Sequence, residues 1–296
     1  MTTRIEKKLS VVKHNDIVQK ARYQLDVVQQ KTILYLISKI DSVNDEHFAP
    51  ITVDTKDLCE IMGIEYCGKN LETLKEALKK LSDKSLWVDT GDQIRLMRWL
   101  QRVDIKKGER KVKIQFDELM SPYLLKIKNR FFQYELINVL AMKCKYSIRL
   151  YEMLKSREAM GSWTVELDEF KKIVGADEQK AYENYKLFRQ RVLDPAIIEI
   201  CNYSDLTVSY RTKREDRKIK WIIFEMVDIS DEDWTEGRRR DINREIAFKN
   251  ISVPEVVPPK KIPTTEDIVV IRKNKLKRRE QERHLERGFA NSSKVL

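Results

Sequence analysis

Apolar positions along this chain fall into two runs of elements in the same order. Between residues 15 and 40, Ile17, Ala21, Leu25 and Val28 recur at helical spacing, and Ile33, Leu34, Leu36, Ile37 and Ile40 continue the face. This predicts one long helix or two short ones. After a polar loop at 41–50, residues 51–53 read as a short strand; Asp54 or Thr55 can cap a helix over 56–62, and Gly63 ends it. Leu71, Leu74, Leu78 and Leu81 stripe one side of the next helix. Strand-like stretches follow at 86–90 and 93–104. Val103-x-Ile105, KKGE and Val112-x-Ile114-x-Phe116 then alternate about a glycine turn, the signature of a hairpin. A short linking helix is expected at about 120–126.

The second run opens with a helix expected over 134–155, where Leu136, Leu140, Ile148, Tyr151 and Leu154 mark a buried face. A strand ending at Val165, a helix at 167–174 and a third helix over 178–203 follow. Leu206-x-Val208-x-Tyr210, the charged turn RTKREDRK and a strand at 219–227 close it. The runs share sequence as well as order. ITVDTKDLCEIMGI, from Ile51, returns about 112 residues later as WTVELDEFKKIVGA, from Trp163. Thr52/Thr164, Val53/Val165, Ile61/Ile173 and Gly63/Gly175 fall in register, acid faces acid at Asp54/Glu166 and Asp57/Glu169, and Leu58 stands opposite Phe170. A repeat at this spacing suggests one small domain used twice, since solenoid periods are about 20–50 residues. Helix, short strand, helix, helix, β-hairpin is the order of a winged helix. The expected fold class is therefore α+β: tandem winged-helix domains, each a helix-turn-helix with a β-hairpin wing, followed by a flexible basic C-terminal tail. The domain limits are 1–132, 133–228 and, for a proline-containing linker and basic tail, 229–296.

Composition sharpens this picture. The chain has 296 residues, 58 Lys+Arg against 47 Asp+Glu, a net charge of +11 and 42% hydrophobic content. That suffices for two modest cores, and the charge favours encounter with polyanions such as nucleic acid or an acidic membrane surface. Cys59, Cys67, Cys144 and Cys201 are scattered without a C-x-x-C pair, which argues against a structural metal and suits a reducing cytoplasm. The N-terminus lacks an apolar signal core, and no stretch approaches the roughly 18 apolar residues of a membrane span. A cytoplasmic location is expected. Residues 231–249 suit an amphipathic helix, and ISVPEVVPPKKIPTTED reads as an extended linker. Residues 272–287 carry eight Lys/Arg against three Glu, a segment either ordered alone or helical only on a partner.

In a helix-turn-helix, the helix after the turn enters the major groove. In the second copy that helix contains YENYKLFRQRVLDPAIIEI. At about 100° per residue Tyr185, Phe188, Val192 and Ala196 turn inward, leaving Asn184, Lys186, Leu187, Gln190 and Arg191 outward with Arg189 at the margin. Arg pairs bidentately with guanine and Asn or Gln with adenine, so this face has suitable donors and acceptors. Pro195, inside the helix, predicts a kink or an early end near Asp194. The wing offers Arg211, Lys213, Arg214, Arg217 and Lys218, suited to phosphates or a minor groove. The first copy offers Lys69, Asn70, Lys75 and Lys79 with no arginine before Arg95, better suited to phosphate anchoring than to base reading. Hence the second domain is expected to specify sequence, and the first to contact the DNA backbone and pair with another subunit. His14, His47 and His284 lie far apart, and no G-x-x-x-x-G-K-[ST] loop exists. No cofactor, metal or catalytic residue is expected, and a nicking enzyme or ATPase is disfavoured.

At several of these residues the chain resembles the iteron-binding Rep family of plasmid replication initiators. The resemblance runs through KHNDIVQKARYQLDVVQQKTILYLI, FFQYELINVLAMKCKYSIRLYEMLKS with Lys145-Tyr146-Ser147-Ile148-Arg149-Leu150-Tyr151-Glu152, WTVELDEFKKIVG, YKLFRQRVLDPAIIEI and KIKWIIFEM, covering roughly 11–227. It implies two winged-helix domains acting on directly repeated origin sequences, the iterons. Monomers would bind iterons mainly through the second domain and help to open an adjacent AT-rich region. Dimers joined through the first domain would repress the initiator's own gene. Base reading would then fall to Lys186, Arg189, Gln190 and Arg191, with Gln190 departing from an arginine-rich family pattern. Double-stranded DNA at origin repeats or the chain's own promoter, a second copy of the chain, and a host replication initiator and helicase are the partners so implied. A transcriptional repressor using the same domains is the alternative function.

Overall fold

The computed structural model describes residues 9–65, 71–106, 109–230 and 262–292. Lys69 and Asn70, the centre of the KKGE turn, the amphipathic stretch at 231–249 and most of the proline-containing linker lie outside the described residues.

The chain starts with β1 (Ser10–His14), α1 (Asn15–Gln19), β2 (Ala21–Arg22) and α2 (Val27–Ile37). The two-helix alternative for this region holds because Asp26 restarts the helix. Its carboxylate accepts from the Gln29 backbone N–H at 2.8 Å while the Gln29 side chain accepts from the Asp26 N–H at 3.1 Å, a reciprocal cap. Residues 29–37 are all buried, so α2 is a central helix, not a surface one. β3 (Ile51–Asp54), α3 (Thr55–Met62) and α4 (Leu71–Ser82) follow, then β4 (Ser85–Asp89), β5 (Ile94–Arg98), β6 (Leu100–Ile105) and β7 (Lys111–Phe116). The expected β6–β7 hairpin is present, with Val103 opposite Ile114 and Ile105 opposite Val112. β3 adds to it in the order β3-β7-β6, and β2-β4-β5 forms a separate sheet. The long stretch at 93–104 thus divides between two sheets at the buried Trp99, whose ring meets Tyr23 edge-on at 5.2 Å.

A one-turn helix α5 (Ser121–Leu124) leads to β8 (Phe131–Glu135), α6 (Ile137–Leu140), α7 (Lys145–Lys155), β9 (Ser162–Glu166) and α8 (Leu167–Val174). The expected helix over 134–155 is corrected here, because its first part is the strand β8. Phe132 and Tyr134 are buried between exposed Phe131 and Gln133, a period of two, while Tyr134, Leu136 and Leu140 mimic helical spacing. β8 pairs antiparallel with β1, a strand the helical reading of the N-terminus overlooked. α9 (Tyr185–Phe188) and α10 (Asp194–Tyr203) are joined by a π-helical turn at Arg189–Leu193, and β10 (Leu206–Glu215) and β11 (Lys218–Asp228) complete the second wing in the order β10-β11-β9. The helix therefore does not stop near Asp194 but continues through Pro195 to Tyr203.

The two repeat segments adopt one geometry. In each the short strand pairs with the last strand of its hairpin, Val53 opposite Val112 and Val165 opposite Ile222. Each following helix ends on a left-handed glycine, Gly63 at φ 68° and Gly175 at φ 69°. The next N–H reaches back in the same way, Ile64 to Cys59 and Ala176 to Lys171, both at 2.8 Å.

Buried polar groups tie the start of the chain to α7. Lys13 of β1 meets Glu152 of α7 at 2.5 Å, and the Tyr134 hydroxyl donates to the same carboxylate at 2.7 Å. Arg149 of α7 donates to Ala21 O at 2.7 Å, to the Tyr23 hydroxyl at 2.8 Å and to Ile173 O at 3.2 Å, so one guanidinium links β2, the residue after it and the end of α8. A helix at Thr265–Ser292 begins with a reciprocal Thr264–Asp267 cap and rests on β10 and β11. Ile268 is buried, Arg272 donates to Met226 O at 2.9 Å and to Gly161 O, and Lys275 donates to Asp228 O at 2.6 Å.

Candidate nucleic-acid interface

The helix following the second turn is built so that one side cannot leave the core. Phe188, Val192, Ala196, Ile197 and Ile200 are all 0–1% exposed, which fixes which residues face solvent. Lys186, Arg189, Gln190 and Arg191 are the exposed ones. Asn184, also exposed, serves as the N-cap: its carbonyl oxygen accepts from the backbone N–H of Lys186 at 2.9 Å and of Leu187 at 3.4 Å. Only its amide NH2 remains for a ligand.

The wing is longer than the charged turn read from the sequence. Arg211, Lys213 and Arg214 lie within β10, Lys218 opens β11, and the turn itself is Asp216–Arg217, with φ of 48° and 65°. Positive φ at both central residues is the geometry of a type I′ hairpin, which suits the strand twist. All five wing cations are exposed. Arg211 lies 3.5 Å from Glu225, and Lys220, absent from the sequence reading, pairs with Glu215 near the tip.

Wing and helix meet at Tyr210. Its hydroxyl donates to Asp194 of α10, and the other oxygen of Asp194 lies 3.3 Å from Arg189 Nε. Burial and the bond to Asp194 hold the Tyr210 hydroxyl protonated, well above the ordinary tyrosine range. Neither Asp194 nor Tyr210 stands among the sequence's candidate site residues, although Asp194 marks the expected kink; Pro195 is the signal that points to both.

In the first copy, Leu74, Leu78 and Leu81 bury one side of α4 while Leu71 is exposed. Lys75 and Lys79 face solvent, Lys75 held by Glu72 at 2.5 Å. Among the described residues no group of three His, Cys, Asp or Glu side chains converges as a metal site, and no helix is long and apolar enough to cross a membrane.

Residues 10–155 match the family model described as "Initiator Replication protein, WH1", and residues 166–226 match "Initiator Rep protein, WH2". The chain belongs to this replication initiator family. It is 30% identical over 106 residues to a replication initiation protein of Escherichia coli, covering 34% of this chain and 33% of the relative, so the match spans about a third of that protein's length. Domains 2 and 3 of RctB, in a selenomethionine crystal structure, overlay with a TM-score of 0.42 at 13% identity, over 78% of this chain and 95% of theirs. A second structure of RctB domains 2–3 overlays at 0.42 and 10% identity, over 77% and 90%. The family resemblance and the tandem winged-helix fold expected from the sequence both hold.

Proposed function

We propose that this initiator reads repeated duplex sequences at a plasmid replication origin and promotes opening of the adjacent DNA, with no catalytic chemistry of its own. The observation that carries the reading is the helix from Tyr185 to Tyr203. Its apolar side is sealed in the core, so Lys186, Arg189, Gln190 and Arg191 can only face outward, beside a wing bearing five exposed cations. Such a helix presents bidentate donors to base edges while the wing neutralises phosphates. The second domain, 133–228, is assigned sequence-specific binding. The first, 1–132, is assigned backbone contact through Lys75 and Lys79, with self-association. Host replication proteins are the further partners of this reading. Footprinting the DNA upstream of the gene, followed by a replication assay of that DNA with and without the protein, tests it. Protection of direct repeats together with dependent replication is expected; no protected repeat overturns it.

A repressor that uses the same domains without origin opening is favoured by one observation. On the β4–β5 hairpin Trp87 (51% exposed) stands opposite Leu96 (50%), with Ile94 (69%) on the same face, while Met97 on the other face is buried. An apolar strand face of this kind suits a second copy, and a two-fold dimer would address inverted repeats. Protection of an inverted repeat at the promoter without dependent replication would favour this second reading.

A further inference from the structure

The π-helical turn ahead of Pro195 changes which side chains of the recognition helix can touch. Proline has no N–H, and its ring crowds the carbonyl four residues earlier, here that of Arg191. The chain responds by widening the preceding turn: the Asp194 N–H bonds to Arg189 O, five residues back, in place of the α-helical partner. In a regular α-helix, residues five apart are about 140° apart around the axis and cannot meet. The wide turn brings them onto one side, and Asp194 Oδ2 sits 3.3 Å from Arg189 Nε. The other Asp194 oxygen accepts from the hydroxyl of Tyr210 on the wing strand β10, and the Tyr210 ring lies 6.4 Å from Phe224 of the core.

We infer that Asp194 and Tyr210 are specificity-determining residues that act by fixing the guanidinium of Arg189 for base reading. The inference rests on the proposed reading of DNA by this helix. Nε is the inner edge of the fork; once Asp194 holds it, the two Nη groups point away as a fixed pair. Among the described residues those Nη groups have no hydrogen-bond partner, and the side chain is half exposed. A guanine presents two acceptors, N7 and O6, at the spacing such a fork matches. A solvated arginine on an ordinary helix face would have to lose rotamer freedom on binding, whereas one already paired through Nε with Asp194 has less to lose. The ligand chemistry assigned to Arg189 is therefore a guanine edge in the major groove, not a phosphate, which accepts from many orientations. Tyr210 also joins the wing to the same aspartate, so wing position and base reading are coupled through one carboxylate.

The test uses the full chain and a randomised duplex library. Wild-type protein selects its preferred duplex, and affinities are then measured for that duplex and for a scrambled one of equal composition. Tyr210→Phe removes one hydroxyl from a half-buried ring, and Asp194→Asn keeps the shape while removing the charge. Each is expected to lower the selected-to-scrambled ratio about tenfold, the equivalent of about 1.4 kcal/mol, with scrambled-duplex affinity nearly unchanged. Reselection with either variant should lose a guanine at a single position. In an Arg189→Ala background, Tyr210→Phe should add nothing, because both act through one side chain. Thermal midpoints accompany each variant, and Asp194→Asn carries the test should Tyr210→Phe not fold. An unchanged ratio, equal loss on both duplexes, or full additivity with Arg189→Ala overturns the inference while leaving base reading intact. A wild type that selects no sequence overturns base reading itself, and this inference with it.

Discussion

Glu152→Gln isolates the buried charge where β1 packs against α7. Lys13 and Glu152 side chains are each 2% exposed, so solvent screens neither, and Lys13 has no water to fall back on when its partner loses charge. Removing one member of a buried pair costs about 3–5 kcal/mol; glutamine still accepts from Tyr134, so about 3 kcal/mol is expected. For a protein of this size that lowers the thermal midpoint by about 6–12 °C. The pH dependence follows from Lys13. Burial already pulls its pKa below the ordinary 10.5, against the pull of Glu152, and without that carboxylate it falls further. The unfolded chain then holds a proton that the folded variant has released, so the variant's stability rises with pH from the lowered value up to 10.5. Its deficit against wild type should be largest near neutrality and shrink toward pH 10, as read by urea denaturation at several pH values. Replacing Lys13 with Met, Glu152 with Leu and Tyr134 with Phe together should recover most of the loss, because an apolar set needs no partners. A single variant within about 0.5 kcal/mol of wild type, the scatter of ordinary surface substitutions, would refute the reasoning, as would a deficit that grows with pH.

Arg191→Ala or Gln190→Ala should cost about 1–3 kcal/mol on the selected repeat and much less on random DNA in gel shifts; equal loss on both would mean phosphate contact only. Arg214→Ala with Arg217→Ala should flatten the dependence of log K on log salt by roughly 0.9 per lost phosphate contact, and an unchanged slope would place the wing away from the duplex. Leu96→Glu, set on the exposed apolar face opposite Trp87, should abolish self-association in sedimentation while sparing single-repeat binding; a wild type monomeric at micromolar concentration sinks the assignment. Supercoiled origin DNA incubated with the protein and magnesium or manganese should stay unnicked, and a covalent tyrosine–DNA adduct would contradict the non-enzymatic reading.

The parts of this fold legible in the sequence are those governed by local pattern. Gly63 and Gly175 end matching helices at the same left-handed φ, and the alternation of Val103, Ile105, Val112 and Ile114 forms the hairpin it implies. The exposed side of the helix from Tyr185 was readable for a similar reason, since the buried Phe188, Val192 and Ala196 leave the other side for Lys186, Gln190 and Arg191. What escaped depends on distant pairing. β1 is a strand because β8 lies beside it, and nothing between Ser10 and His14 announces a partner so far along the chain. Arg149 and Glu152 look like polar positions of a surface helix, yet each is buried because Ala21, Tyr23 and Lys13, from the start of the chain, meet them. The clamp on Arg189 escaped for a geometric reason: helical spacing rules count in threes and fours, and the π turn makes five the contact distance.

The pairing of β1 with β8 also has a consequence for how the chain is made. His14 waits for Phe131 and Ser10 for Glu135, separations of 117 and 125 residues. At a synthesis rate of about 5–20 residues per second, β1 leaves the ribosome roughly 6–25 seconds before its partner exists. Throughout that interval Lys13 has no Glu152 to meet, and burying a charged lysine without its partner is costly, which disfavours burial of the strand before the partner arrives. The β6–β7 hairpin can form in this time, but β1 closes only once β8 has emerged.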